Sequence, residues 1–109
     1  MKIVVIPEVR IYLNNLGRVL YEKEYFDFEE SAKKYVVELF NDIKINLPTK
    51  QYRPAPKYFD RYGKDMEYAI FRKNRQTQWY VFFRVYIENR EEIYQIRYIA
   101  NNHTVAYYL

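Results

Sequence analysis

The spacing of apolar residues divides the chain into stretches of different period, and the first stretch predicts a strand followed by a helix. Residues 2–6 are mostly β-branched, which favours a strand, and Pro7 suits the first turn of a helix that begins directly afterwards. Apolar residues then recur every three or four positions from about residue 8 to residue 24, the pattern of an amphipathic helix. Gly17 lies inside this helix and costs it about 1 kcal/mol relative to alanine.

A second helix is predicted directly after the first. Asp27 is expected to cap its N-terminus, with Glu30 three residues later as the reciprocal member of a capping box. Pro48 ends the helical pattern. The apolar stripe of this helix is the clearest periodic signal in the chain and consists of Ala32, Tyr35, Val36, Leu39, Phe40, Ile43 and Leu47.

The second half of the chain changes to a period of two. Residues 48–65 hold three of the four prolines and five basic residues, which indicates a long basic connector. From Met66 onward, alternation predicts three antiparallel strands with turns at residues 74–77 and 89–91. The predicted fold is α+β: an N-terminal strand and a two-helix hairpin packed on one face of a mixed, largely antiparallel four-stranded sheet, in one domain spanning residues 1–109.

The other face of this sheet is expected to be open to solvent. Odd-numbered side chains from Trp79 to Ile87 are expected under the helices, which leaves the even-numbered ones outside, and Tyr94, Ile96 and Tyr98 are expected to share one side of the last strand. Interleaved Tyr and Arg can stack bases and hold phosphates, although a solvated face with ordinary cross-strand pairs is the alternative. The residues predicted to bind nucleic acid or a protein partner are Tyr80, Tyr86, Arg97, Lys73, Arg75, Lys64 and Arg61.

Charge is distributed unevenly along the chain. The net charge is +4, but residues 50–90 contain ten basic and four acidic residues, a local excess of +6. Such a block is the electrostatic footprint of a phosphate-binding surface or of a surface for an acidic protein partner. A well-solvated surface is the alternative.

Composition removes several classes of site. The absence of cysteine and the single histidine exclude a disulfide scaffold, an iron–sulfur cluster and a thiol nucleophile, and argue against a transition-metal enzyme. Two glycines cannot build a glycine-rich phosphate loop. We therefore expect no cofactor and no metal. No apolar run approaches the roughly 18 residues of a membrane span, so we expect a cytoplasmic protein without a membrane partner.

His103 is the first candidate for acid–base chemistry, because histidine exchanges protons near neutral pH and the chain has only one. It follows the last predicted strand, where it is expected to converge with Arg84 and Tyr80. Tyr107 comes one helical turn later. The predicted catalytic residues are therefore His103, Arg84 and Tyr107, and the alternative is an inert terminal histidine.

Four segments in this order resemble the RelE/ParE superfamily of bacterial toxins from type II toxin–antitoxin pairs, in a Bacteroidetes-type branch. The likeness covers nearly the whole chain. The segments are Tyr25-Phe26-Asp27-Phe28-Glu29-Glu30-Ser31-Ala32, Pro54-Ala55-Pro56-Lys57-Tyr58-Phe59, Trp79-Tyr80-Val81-Phe82-Phe83 and Ile99-Ala100-Asn101-Asn102-His103.

This resemblance implies a small toxin that a cognate antitoxin holds inactive. RelE-like members cut messenger RNA on the ribosome without a metal, ParE-like members poison DNA gyrase, and an inactive relative would keep only the antitoxin-binding surface. The resemblance places Arg84 or Tyr80 at the position of a ribonuclease arginine, and His103 with Tyr107 at the terminal catalytic pair. Many relatives carry a basic residue where this chain has Asn101-Asn102. The charge on the scissile phosphate would then come from Arg84, Arg97 or Lys73.

Overall fold

A mixed five-stranded sheet forms the centre of the protein, which we describe from a computed structural model covering residues 1–109. The sheet order is β1-β5-β4-β3-β2, with β1 parallel to β5 and every other neighbouring pair antiparallel. Short 3₁₀ helices lie at Leu47–Thr49, Lys57–Tyr62 and Ala106–Tyr108. The other elements are β1 (Lys2–Val5), α1 (Pro7–Glu22), α2 (Glu29–Asn46), β2 (Tyr52–Pro54), β3 (Glu67–Arg72), β4 (Gln78–Glu88), β5 (Glu91–Asn101) and α3 (Asn102–Val105).

The predicted α+β class is confirmed, with five strands in place of four. The additional strand, β2, lies within the predicted basic connector and pairs with β3 through Tyr52, Arg53 and Pro54. Its proline can occupy a strand because β2 is at the edge of the sheet, where a missing N–H need not interrupt a ladder. None of the helices has the length and apolar character that crossing a membrane requires.

The two long helices form the predicted hairpin and contact each other closely at Gly17. A Cβ atom at Gly17 would lie 3.0 Å from the Cα of Lys33 in α2, so the missing side chain is what permits this approach. The predicted capping box is wrong. Helix α2 begins at Glu29 with Phe28 in the capping position, and no side chain caps its first turn.

The helices cover one face of the sheet with the larger of two hydrophobic cores. Trp79, Val81 and Phe83 point into this core from β4, as the alternation predicts. From α2, Leu39 and Ile43 are fully buried against the sheet. The predicted packing is confirmed for these residues, but it is wrong for Val85 and Ile87, which were expected under the helices and are 38% and 66% exposed.

The opposite face is not open, contrary to the prediction. The 3₁₀ helix at Lys57–Tyr62 and the C-terminal turn fold over it, so Phe82 is fully buried and Tyr80 is only 7% exposed. Phe59 stacks on Phe82 with ring centroids 4.4 Å apart. Because Phe59 and Val105 come from segments that looked like connector and tail, strand alternation alone could not show this cover. The second core comprises Phe59, Met66, Tyr68, Tyr80, Phe82, Ala100 and Val105.

A β-bulge in β5 changes which face its later residues occupy. Phe82 pairs with Tyr98 and Phe83 pairs with Ile96, so Arg97 is the extra residue. Tyr98 therefore lies with the second core, while Ile96 lies with the first. The prediction that Tyr98 shares a side with Ile96 is wrong for this reason.

The hairpin of β4 and β5 extends beyond the rest of the sheet. Asn89 and Arg90 connect the strands with positive φ values of 52° and 65°, as a two-residue type I′ turn requires. Strand β3 starts opposite Phe83, so residues 84–88 of β4 have a neighbouring strand only on the β5 side. We call residues 84–88 of β4 the free edge.

Candidate functional site

A groove between α1 and the outer edge of β5 contains the only histidine of the protein. Strand β1 pairs with β5 only from Ile93 to Ile96, which leaves the later residues of β5 facing α1 across a cavity of about 500 Å³. We call this cavity the His103 groove. Its polar lining consists of Tyr12, Asn15, Lys23, Tyr25, Tyr98, Asn101, His103 and Thr104.

Asn102 holds the exposed His103 in place by anchoring the turn that carries it. The Asn102 side-chain oxygen accepts a hydrogen bond of 2.9 Å from the backbone N–H of Gln78, and its amide donates one of 3.0 Å to the carbonyl of Gln76. Helix α3, which contains His103, is therefore fixed to the start of β4. Thr104 adds a hydrogen bond of 3.2 Å to the side chain of Asn101.

A smaller cavity of about 110 Å³ lies on the other side of His103. Its walls include Tyr35 and Trp79, joined by a hydrogen bond of 2.8 Å from the indole N–H to the tyrosine oxygen. The ammonium group of Lys73 lies 6.0 Å from the centre of the Tyr35 ring, so Lys73 comes to this end of the molecule. His103 thus has one lysine in the wall of its own groove, Lys23, and another close to the adjoining cavity.

The environment of the groove raises the pKa of two tyrosines in its wall, Tyr12 and Tyr98. Burial raises the pKa of Tyr12 to about 12. Burial also raises the pKa of Tyr98, and its hydrogen bond with Tyr62 raises it further. Both phenols are hydrogen-bond donors at neutral pH, as ordinary tyrosines are, and the raised pKa values extend this state into alkaline solution. Neither Asp nor Glu lines the groove, and no group of three or more His, Asp or Glu side chains is arranged so that it could hold a metal ion.

Stacked tyrosines continue from the groove across the second core. Tyr98 stacks on Tyr62 at 3.8 Å, and Tyr58 stacks on Tyr108 at 3.6 Å. The guanidinium of Arg61, a predicted binding residue, lies 4.2 Å from the centre of the Tyr58 ring. Tyr108 thus covers one face of the Tyr58 ring and Arg61 covers the other, so neither face of this ring is free for a nucleic-acid base.

Arg84 and Tyr86 do not join His103. Arg84 pairs with Gln95, whereas the β5 residue just before the His103 turn, Asn101, pairs with Trp79. Five residues of β4 separate the two positions, about 17 Å at 3.4 Å per residue. The expected convergence of Arg84 with His103 is therefore wrong, and both Arg84 and Tyr86 belong to the free edge.

The other predicted residues are scattered. Tyr80 is buried in the second core, so its expected place on an open face is wrong. Arg97 is the bulge residue and donates a hydrogen bond of 2.8 Å to the carbonyl of Tyr62, which gives it a structural contact. Tyr107 is 92% exposed and contacts only Tyr108 among the aromatic rings, while Lys64 and Arg75 are exposed in loops.

Sequence reasoning missed the contributions of α1 to the groove. Tyr12, Asn15 and Lys23 lie on or just after the first helix, far from His103 in sequence. A weak signal was present, because Tyr12 belonged to the apolar stripe of this helix while carrying a polar hydroxyl.

Comparisons of the chain with family models, with curated proteins and with solved structures find no match.

Proposed function

We propose that this protein is the toxin of a type II toxin–antitoxin pair and that it inhibits translation by cutting messenger RNA on the ribosome without a metal ion. The observation that carries the proposal is the His103 groove, which joins an imidazole, a lysine and tyrosine hydroxyls. The RelE/ParE resemblance supplies the substrate class. The basic excess of residues 50–90 supports an acidic partner, the antitoxin, on the same protein.

The chemistry would be an attack of the ribose 2′-hydroxyl on the neighbouring phosphorus. His103 takes the proton from the 2′-oxygen, the new P–O2′ bond forms, and the P–O5′ bond breaks to leave a 2′,3′-cyclic phosphate. The leaving 5′-oxygen needs a proton, and the hydroxyl of Tyr12 donates it from the wall of the same groove. Lys23 compensates the negative charge that builds up on the phosphate.

Cleavage of ribosome-bound messenger RNA by the purified protein tests this assignment. His103→Ala should slow cleavage roughly 10²–10⁴-fold, because it removes a proton-transfer group. Lys23→Ala should slow it roughly 10²-fold and Lys23→Arg should restore most of the rate, because the positive charge returns. Lys34→Ala is the matched control, since Lys34 is exposed on α2 and lines neither cavity.

A second candidate is an inactive relative that binds the antitoxin without cutting RNA. One observation favours it: Arg84, which the resemblance places at the ribonuclease arginine, is five β4 residues away from the His103 end of the sheet, and Tyr107 lines neither cavity beside His103. Expression in a bacterium separates the candidates. Growth arrest that is lost in His103→Ala supports the ribonuclease, no arrest at verified expression supports the inactive relative, and arrest with gyrase-dependent DNA breaks that His103→Ala leaves unchanged supports the gyrase poison.

A further inference from the structure

We infer that the free edge of β4 is a self-pairing site, through which two copies of this chain form an antiparallel dimer around Tyr86. The free edge has the sequence Arg84-Val85-Tyr86-Ile87-Glu88 and a strand neighbour only on the β5 side. This inference is independent of the ribonuclease proposal, because the free edge contains no part of the His103 groove.

The backbone of the free edge offers hydrogen-bonding groups at two positions. The two-residue turn makes Glu88 and Glu91 a hydrogen-bonded pair, so alternation points the N–H and C=O groups of Val85 and Ile87 away from β5. These four groups are available to another strand. An edge with unpaired groups of this kind is a template for strand addition.

The side chains beside these groups are apolar and exposed. Val85 is 38% exposed, Tyr86 is 40% exposed and Ile87 is 66% exposed. Three neighbouring exposed apolar side chains along an unpaired edge of a strand are what a second strand would cover. No lysine or proline protects the segment.

The order of charges selects a second copy of this chain as the partner. In an antiparallel pair centred on Tyr86, Arg84 lies opposite Glu88 of the second copy, and Val85 lies opposite Ile87 of the second copy. Both apolar pairs are then hydrogen-bonded pairs, and the two-fold axis passes between the two Tyr86 side chains. The five residues thus complement themselves in charge and in backbone geometry.

Antiparallel pairs shifted by one residue from the Tyr86 centre are less favourable in charge or in available backbone groups. Centring the pair on Ile87 places Arg84 opposite Arg90 of the second copy, which is a like-charge pair. Centring it on Val85 places Ile87 opposite Phe83, whose outer side β3 already occupies. Only the Tyr86 register combines free backbone groups with opposite charges.

Within one copy, Arg84 and Glu88 have no ion-pair partner. The three salt bridges of the protein join the N-terminal ammonium to Glu91 at 3.1 Å, Arg18 to Glu22 and Lys33 to Glu29. Glu88 also lies directly opposite Glu91 across the hairpin, an unfavourable like-charge pair. Arg84 of a second copy would relieve it.

Sedimentation velocity from about 10 μM to about 1 mM protein tests the dimer. A five-residue edge is small beside the roughly 800 Å² per partner of a stable interface, so we expect a concentration-dependent dimer. Arg84→Glu and Glu88→Arg should each weaken it roughly tenfold, because two like-charge pairs replace two ion pairs. The double variant should restore wild-type affinity, because the pairs form with their charges exchanged.

Ile87→Lys and Val85→Pro test the edge itself. Ile87→Lys places an exposed charge on the edge, and Val85→Pro removes an outward N–H that no strand of the same copy uses. Both should be monomeric with unchanged circular dichroism. A wild type that stays monomeric at 1 mM overturns the inference. So does a dimer that persists in Ile87→Lys, and so does a double charge variant that is no tighter than the single ones.

Discussion

At the scale of single residues, Asn102 shows how a side chain without chemistry of its own can set the geometry of a site. It joins the turn that carries His103 to both Gln76 and Gln78. From the sequence, Asn102 is interpreted only as the absence of a positive charge after the last strand. In the structure, Asn102 holds this turn against the start of β4, because one side-chain amide can accept one hydrogen bond and donate another.

Asn102→Ala should lower the free energy of unfolding by about 1–2 kcal/mol, because both hydrogen bonds are lost and the Gln78 N–H loses its partner. Urea unfolding of wild type and variant measures the difference. Asn41→Ala is the control, since Asn41 is exposed on α2 and makes no side-chain hydrogen bond, and it should stay within about 0.5 kcal/mol. If both variants lost the same free energy of unfolding, the two Asn102 hydrogen bonds would not be what stabilises the turn.

Tyr12 should make stability fall in alkaline solution. Burial raises its pKa from 10.0 to about 12, so between these pH values the unfolded chain releases the phenolic proton while the folded protein retains it. This contribution to stability is complete below pH 10 and is lost as the pH rises towards 12. The urea midpoint of Tyr12→Phe should therefore fall less steeply over this range than that of the wild type.

Tyr107→Phe is the matched control for Tyr12→Phe, because the Tyr107 ring is 92% exposed. Its pH profile should follow that of the wild type. If the profile of Tyr12→Phe also followed the wild type, burial in the groove would not be what holds the Tyr12 proton.

At the scale of secondary-structure elements, periodicity predicted what depends on local spacing. Most of the α2 stripe and the first three odd positions of β4, Trp79, Val81 and Phe83, lie in the first core as expected. Val85 and Ile87 do not, because β4 extends past the helices and past β3 at that end. The bulge at Arg97 could not be predicted, because an extra residue in one strand is visible only against its partner. Strand β2 was missed because its proline argued against a strand, and only a position at the sheet edge permits it.

Gly17→Ala should lower the free energy of unfolding by about 1–2 kcal/mol, although alanine is the better helix former by about 1 kcal/mol. The added methyl group would lie 3.0 Å from the Cα and 3.2 Å from the N of Lys33, so the helices would have to separate. Asn14→Ala, at an exposed position of the same helix, isolates the propensity term and should be neutral or stabilising. If Gly17→Ala had a higher free energy of unfolding than the wild type, the two helices would be able to accommodate the methyl group without losing packing.

At the scale of the whole molecule, the sheet is shared by two cores, and this arrangement decides where the site lies. Helices cover one face, while the connector and the C-terminal turn cover the other. His103 lies in α3, directly after β5, at the border between these layers where α1 approaches the strand edge. The sequence identified His103 by its chemistry, but its neighbours depend on packing between distant segments, which no local pattern encodes.

Phe59→Ala tests whether the two cores unfold together. Phe59 is fully buried and stacks on Phe82, whose neighbours Val81 and Phe83 in β4 point into the first core. Truncation should therefore lower the free energy of unfolding by about 3–5 kcal/mol and should move the whole transition. Helical circular dichroism and the fluorescence of Trp79, both reporting on the first core, should shift to the same lower urea midpoint.

Phe28→Ala is the control for Phe59→Ala, because the Phe28 ring is 70% exposed and its loss should cost little. If the Trp79 signal kept its wild-type midpoint in Phe59→Ala while tyrosine fluorescence changed earlier, the connector layer would unfold on its own. The shared sheet argues against that outcome. In β3 and β4, every residue of the second core is followed in the chain by one of the first core, so losing one layer disturbs the backbone on which the other rests.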